Sequence, residues 1–379
     1  MFYKESFGNS KLRSQHQRTV YRCILNNHPI SRTDITRYTQ ISKPTVTRII
    51  EEFLGAGLIT TSGHSDTVLG RKPELLKIRD DAIAAIGLYF SKTRATISLI
   101  NVKTSVVFKR QVSIKHVDNS NDFYLLVDEL LTGAINVAKE RKMIVLGVGV
   151  AAPGDVNHYS GTIESLFGGK ETIEISDYIK ERYCFDTYVD NNANVSALAE
   201  WYCGLAKDNQ SLVYFIASSG IGVGIINHNA LLHGINNRAG EIGKSLVVSN
   251  NRAVEAESIA SIPAIVKDYS QITGKTISEE DLPKLYANRD KDLKALLINS
   301  TKVLHFLAYN LLCTVDTNTV IFSGKYFDYF PEEFVSLQKL IKDKLHEKSM
   351  NNVTIHLRKQ DETINIIGPG ILVFDNAIY

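Results

Sequence analysis

Between Ser42 and Arg48 the sequence places hydroxyls and cations where a polyanion could use them. Lys43, Thr45, Thr47 and Arg48 combine short polar side chains, which permit close approach, with positive charge. Arg48 is long enough for a phosphate or the edge of a guanine. Arg71 and Lys72 form a second basic pair, suited to phosphate or the minor groove. The cysteines suggest less. Cys23, Cys184, Cys203 and Cys313 stand far apart with no Cys-x-x-Cys pair, so neither a zinc ribbon nor a disulfide framework is indicated. Reduced thiols in a cytosolic protein are the simple reading.

Helices and turns around these groups follow from the flanking residues. Residues 15–27 place Val20, Cys23, Ile24 and Leu25 on one helical face, and Pro29 stops that helix. Ser31 is a capping residue, with Asp34 three positions on to cap back, for a helix from about Arg32 to Thr39. Gln40 and Ile41 form a short turn. Ser42 reads as the next N-cap, with Pro44 in the first turn, where a missing N–H is tolerated. The third helix, 43–54, buries Val46, Ile49, Ile50 and Phe53 and shows Lys43, Thr45, Thr47 and Arg48 on its other face. This is a helix-turn-helix arrangement, whose second helix enters the major groove with its N-terminal residues leading. Gly55 and Gly57 end the helix, and residues 57–78 read as two short strands around a polar tip, a wing. The bland alternative is a small helical domain with a solvated basic face. For Lys43, Thr45, Thr47 and Arg48, base contact and mere exposure stand even; Arg71 and Lys72 read as phosphate or linker contacts.

Charge distribution agrees with a split chain. Residues 1–78 hold 12 basic and 6 acidic residues, and the remainder holds 31 and 35. A basic head on a mildly acidic body fits a nucleic-acid-binding module joined to something else. The N-terminal stretch lacks the apolar core of a signal peptide, and no run approaches ~18 apolar residues. A cytoplasmic protein with no membrane partner is expected. From Asp81 the texture changes: strands are predicted at 84–90, 94–101, 105–114, 143–154, 318–324 and 351–357, two strands around a Gly-rich turn within 211–226, and a helix at 123–140. Strands mixed with helices indicate α/β architecture. Residues 1–80 and 81–379 are the expected domains.

Five segments of the body then carry a resemblance: GVGVAAPGDV (147–156), DNNANVSALAE (190–200), SSGIGVGII (218–226), NALLHGINNRAGEIGKSLV (229–247) and ESIASIPAIV (257–266). In that order, behind a helix-turn-helix, they resemble the ROK family of bacterial sugar-responsive repressors, reading frames and sugar kinases, in its transcriptional-regulator branch. The resemblance implies a winged helix-turn-helix followed by a two-lobed actin/hexokinase-like domain.

It also exposes departures. Phosphoryl transfer needs a phosphate cradle, a metal and a base. Where the family's first cradle has an Asp, two glycines and a Thr, this chain reads Tyr89-Phe90-Ser91-Lys92-Thr93. Side chains replace the glycines that let backbone N–H groups approach phosphate, although Lys92 can supply charge. The family's general base is the Asp of an Asn-Asp pair, and here the pair is Asn191-Asn192. A carboxamide cannot take the proton from a sugar hydroxyl, but it can hydrogen-bond it. The second phosphate turn, Ser218-Ser219-Gly220, keeps one glycine, and it reads equally as a simple β-turn. The family's zinc-ligating His is Lys244, and residues 249–258 hold no cysteine, so neither metal nor cofactor is expected.

Asn191, Asn192, Glu241, Lys244 and Glu257 remain as candidate sugar ligands that the resemblance places around one pocket. Lys244 could instead attract a phosphate or acid, or pair with a carboxylate. Asp155 and Glu164 read as loop surface. The leading expectation is a repressor of carbohydrate genes, controlled by a sugar or sugar phosphate and binding operator DNA as a homodimer or homotetramer. The alternatives are an active sugar kinase with an appended DNA module, and a regulator whose body is a vestigial cleft serving only dimerisation and protein docking.

Overall fold

The computed structural model describes residues 15–64, 74–114, 117, 119–164, 166, 171–207, 209–249, 251–347, 353–359 and 362–378. These fall into two compact units, one running to Asn192 and resuming at Asn365, the other Ala193–Ile364.

The first unit begins with α1 (Gln15–Asn27), β1 (Ile30–Ser31), α2 (Arg32–Thr39), α3 (Lys43–Gly55), β2 (Ile59–His64) and β3 (Glu74–Ile78). The helical face of α1 is turned slightly from the expected one: Tyr21 joins Val20 and Ile24 in the core while Cys23 is only half-buried. The Tyr21 ring meets Phe53 edge-on at 5.7 Å. Ser31 Oγ accepts the Asp34 N–H at 3.1 Å and donates to Asp34 Oδ2 at 2.7 Å, so α2 starts at the expected cap. Gln40 adopts a left-handed φ of 59° and turns the chain toward α3. Val46, Ile49, Ile50 and Phe53 are buried as their spacing required, each contributing about 1.5–3 kcal/mol by leaving water. The strands pair antiparallel in the order β1-β3-β2. The two-residue β1, too short to show a period, was not expected.

A five-stranded sheet follows, built from β4 (Ile83–Phe90), β5 (Arg94–Asn101), β6 (Val106–Ser113), β7 (Ile144–Ala152) and β10 (Thr187–Asn191). Between them lie α4 (Ser120–Glu140), the hairpin β8 (Val156–Asn157) and β9 (Thr162–Ile163), and α5 (Ile175–Tyr183). The order is β10-β7-β4-β5-β6, antiparallel across β4, β5 and β6 and parallel across β4, β7 and β10. One face takes α4 through Phe123, Val127, Leu130 and Ala134. The other takes the C-terminal helix, Glu362–Ala377, despite Pro369 in its interior. Gly87 and Gly149 are register partners across β4 and β7. A Cβ on Gly149 would lie 1.7 Å from the Pro369 carbonyl oxygen, and one on Gly87 2.9 Å from the Gly370 nitrogen. The paired glycines form a trough in which the helix backbone touches the sheet. Ser98 Oγ donates to the Ile366 carbonyl at 2.6 Å, satisfying an acceptor beside the proline.

The second unit carries α6 (Asn192–Cys203, entered from the first unit's last residue), β11 (Leu212–Ala217), β12 (Ile221–Asn227), β13 (Ala230–Leu231), β14 (Leu246–Ser249) and β15 (Arg252–Glu255). Then come α7 (Glu257–Ala260), α8 (Ile262–Thr273), α9 (Leu282–Ala287), α10 (Lys291–Val315), β16 (Thr319–Ser323), α11 (Lys325–Tyr329), α12 (Pro331–Glu347) and β17 (Thr354–Leu357). Its main sheet has the order β13-β12-β11-β16-β17. Numbered within each sheet, both run 3-2-1-4-5 with the same parallel and antiparallel pairs, an internal duplication of one α/β unit. By length and composition α10 could cross a membrane. It instead buries Leu293, Leu297, Leu304 and Leu312 in the unit's core and leaves Lys294, Lys302 and Asn310 exposed, as a core helix of a globular unit does. Fully buried Glu200 is held by Arg358 in a two-pronged pair, Nε to Oε1 at 2.6 Å and Nη2 to Oε2 at 2.8 Å, with the Leu205 N–H as a third donor.

Candidate functional site

In the head, α3 leaves Ser42, Lys43 and Arg48 exposed and Thr45 and Thr47 half-buried. Ser42 does not cap with its side chain: its hydroxyl is shared with Thr45 Oγ1 at 2.8 Å and no backbone N–H bonds to it. Arg48 ion-pairs with Glu52 one turn on, and Glu52 also accepts from Gln17 Nε2 at 2.9 Å. Exposed pairs of this kind contribute about 0–1 kcal/mol, so Arg48 can leave Glu52 for a phosphate at little cost. Sequence reasoning passed over the end of α2. There the Arg37 guanidinium lies 5.0 Å over the ring of Tyr38, which is 59% exposed just before the turn. An aromatic directly after an arginine at a helix end was the available signal. Arg32 links α2 to Glu51 and Glu74 at 3.8 and 3.5 Å and thereby braces α3 against β3. Arg71 and Lys72 lie outside the described residues.

In the first unit's sheet, the parallel strands β4, β7 and β10 end together at Phe90, Ala152 and Asn191, the edge at which open α/β sheets take ligands. Asn192, next in the chain, donates its Nδ2 to the Phe90 carbonyl at 3.0 Å. Its Oδ1 is buried with no hydrogen-bond partner among the described residues. That atom is a desolvated acceptor waiting for a donor. Asn191 anchors the turn instead, its N–H donating to Asp190 Oδ1 at 2.7 Å. The buried Asp190, missed earlier, shapes this corner. Half-buried Tyr89 has its phenol pushed up to about 12 by burial, against the pull of Arg94, and stays protonated. Ser91 Oγ is spent within its own turn, accepting the Arg94 N–H at 3.0 Å and donating to the Arg94 carbonyl at 3.1 Å. Beyond it opens a cavity of about 260 Å³ lined by Ser91, Lys92, Phe123, Pro153, Gly154 and Leu166, with Ile114 and Val117. Asp155 and Glu164 close a local turn, the Glu164 N–H donating to the Asp155 carbonyl at 2.9 Å.

In the second unit, Glu241 and Lys244 flank a short 3-10 turn and pair at 3.3 Å. Of the readings open for Lys244, the carboxylate pair is the one observed. Glu257 opens α7, half-buried, with its carboxylate against Gly220 and Gly243. A Cβ on Gly243 would come within 3.0 Å of Glu257 Oε2, so these glycines make room for the acid. No hydrogen bond or ion pair engages that carboxylate among the described residues. The turn at Ser218 is closed on itself, its N–H donating to the Gly220 carbonyl at 2.9 Å, which removes one donor a phosphate would need. A zinc ion of the family type does not fit these residues. Lys244 is an ion-paired cation rather than an imidazole, and no three His, Cys, Asp or Glu side chains gather for a metal among the described residues.

Comparison with known proteins gives these observations a setting. The ROK family profile matches residues 86–376. The xylose repressor of Caldicellulosiruptor bescii is 24% identical over 98% of this chain and 98% of its own length. A crystal structure of a ROK family transcriptional regulator, described as a homologue of the E. coli MLC protein, superposes with a TM-score of 0.81 at 18% identity, covering 98% of this chain and 97% of that one. The ROK hexokinase from Thermus thermophilus superposes with a TM-score of 0.68 at 18% identity, covering 99% of its own chain but 78% of this one. The duplicated sheets are therefore the actin/hexokinase-like fold, and this chain is a member of the ROK family.

Proposed function

We propose that this protein is a sugar-responsive transcriptional repressor of carbohydrate genes. Its head, residues 1–80, is a winged helix-turn-helix that docks α3 in the major groove of operator DNA. Its body, residues 81–379, is a sugar-kinase fold that binds without catalysing. Full-length likeness to a protein named xylose repressor supports the assignment of both parts. Lys43, Thr45, Thr47 and Arg48 face the DNA, with Ser42 at the helix start, and Arg71 and Lys72 are kept from the sequence as further candidate phosphate contacts. Asn191, Asn192, Glu241, Lys244 and Glu257 are the sugar-facing set.

Asn192 carries the reading. It stands where a kinase of this family needs a carboxylate, and its amide oxygen is buried without a donor among the described residues. An amide there accepts a hydrogen bond from a sugar hydroxyl but not its proton. The loss of glycine at Ser91 and Lys92 and the closed Ser218 turn weaken ATP binding further. In the second unit, the Glu257 carboxylate, without a partner among the described residues, is a further candidate acceptor. Paired heads on a homodimer or homotetramer match a pseudopalindromic operator. Because ligand and DNA bind one chain, a sugar that alters operator affinity is altered in its own affinity by the same factor. The test is a panel of pentoses and hexoses on the purified protein, read by thermal shift and by ATP consumption. A sugar that raises the melting temperature without ATP turnover is expected; steady phosphorylation of any sugar contradicts the reading.

A further inference from the structure

Two cations stand where the family resemblance expects other residues, Lys92 for a glycine and Lys244 for a histidine. Lys244 is neutralised by Glu241 at 3.3 Å. Lys92 has no carboxylate or hydrogen-bond partner among the described residues. It is exposed in the turn after β4 and is the one charged side chain among the described residues lining the 260 Å³ cavity. The rest of that lining is divided. Ile114, Val117, Phe123 and Leu166 make an apolar wall, while Ser91, Pro153 and Gly154 belong to the turns that follow β4 and β7. Ser91 cannot serve a ligand through its hydroxyl without breaking its own turn. The Phe90 carbonyl, one residue before the cavity, is where Asn192 is anchored.

We propose that this cavity makes the protein a reader of anionic monosaccharides, with Lys92 taking the negative group. The inference rests on the sugar-binding reading above and narrows the ligand class. A glycine in this position would let backbone N–H groups approach a nucleotide phosphate. A lysine supplies a point charge on a flexible stem instead, which suits a single phosphate or carboxylate on a small ligand. The apolar wall of Ile114, Val117, Phe123 and Leu166 takes the C–H face of the ring. An anion here gains a counter-charge with no competing carboxylate among the described lining residues, whereas one at Lys244 must displace Glu241.

The test uses the full-length protein and isothermal titration with glucose, xylose, glucose 6-phosphate, xylose 5-phosphate, glucuronate and inorganic phosphate. At least one sugar phosphate or sugar acid binds ten-fold or more tightly than its neutral parent, and the phosphate and glucuronate arms tell the two anions apart. Lys92→Gln collapses that ratio toward one, Lys92→Arg retains most of it, and Lys103→Gln, at a surface lysine outside the lining, leaves it intact. Neutral sugars binding as well as their anionic forms, or a ratio that survives Lys92→Gln, overturns this inference and leaves the sugar-binding reading standing. Binding by inorganic phosphate alone, with no sugar of either kind, overturns both.

Discussion

At the residue scale the proposed absence of catalysis turns on Asn192, an amide with the shape of a carboxylate but not its basicity. Its Nδ2 is anchored on the Phe90 carbonyl at the end of β4, and its Oδ1 is buried without a partner among the described residues. A neutral hydrogen bond has a net value of about 0.5–1.5 kcal/mol. Asn192→Ala therefore weakens binding of the cognate sugar by roughly 2- to 10-fold, as titration calorimetry would measure. An unchanged affinity would remove Asn192 from the site. On the DNA side, exposed Lys43 opens α3 with no partner among the described residues. Lys43→Ala should lower operator affinity for matched and scrambled sequences alike and reduce the salt slope by about one, the mark of a lost phosphate contact. A loss confined to one operator base would instead make Lys43 a base reader.

At the element scale, what was legible and what was not follow from range. Helix periods and caps are local, so α2, α3 and the buried face Val46, Ile49, Ile50 and Phe53 could be read from the residues alone. Alternation and apolar runs located β4, β5, β7, β11 and β16 within a few residues. The C-terminal helix was hidden because Gly368-Pro369-Gly370 contradicts helix propensity; only the trough of Gly87 and Gly149, over 200 residues away, explains it. Ser42 does take the N-cap position of α3, but its side chain makes no capping bond because Thr45, three residues on, shares its hydroxyl. The motif segments located Asn191, Asn192, Glu241, Lys244 and Glu257, but no pattern announced that Lys244 would be paired and Asn192 half-satisfied. The Glu200–Arg358 pair joins α6 to the residue following β17 and was likewise invisible. Removing Arg358 strands a fully buried carboxylate, so Arg358→Met should cost about 3–5 kcal/mol in urea unfolding. Much of this should return in the double variant that also replaces Glu200 with Leu. A single variant as stable as the parent would show that solvent or another cation reaches Glu200.

At the scale of the whole molecule, a duplicated sheet and a basic head make a protein whose stability and response are set by a few buried polar groups. His305, on α10 and nearly buried, has its imidazole held below the usual histidine range by burial, with Lys344 pushing the same way and a backbone bond to Leu340 opposing. Its Nε2 has no partner among the described residues, so the folded state prefers the neutral ring. The unfolded chain then binds the proton more readily. Stability is full above the unfolded value of about 6.5 and falls as the pH drops below it toward the folded value. Urea midpoints should decline between pH 7.5 and 5 in the parent and decline less in His305→Leu; equal slopes would assign the acid sensitivity to other groups.

The central claim is that one chain couples a sugar to DNA without chemistry. Fluorescence anisotropy of a labelled fragment from the protein's own upstream region, titrated with and without the sugar found by calorimetry, measures it most directly. Salt-sensitive binding is predicted, and saturating sugar should shift the operator affinity by about 5- to 150-fold. Operator binding indifferent to every sugar bound by the protein, or sugar consumed with ATP in the same cuvette, would contradict it.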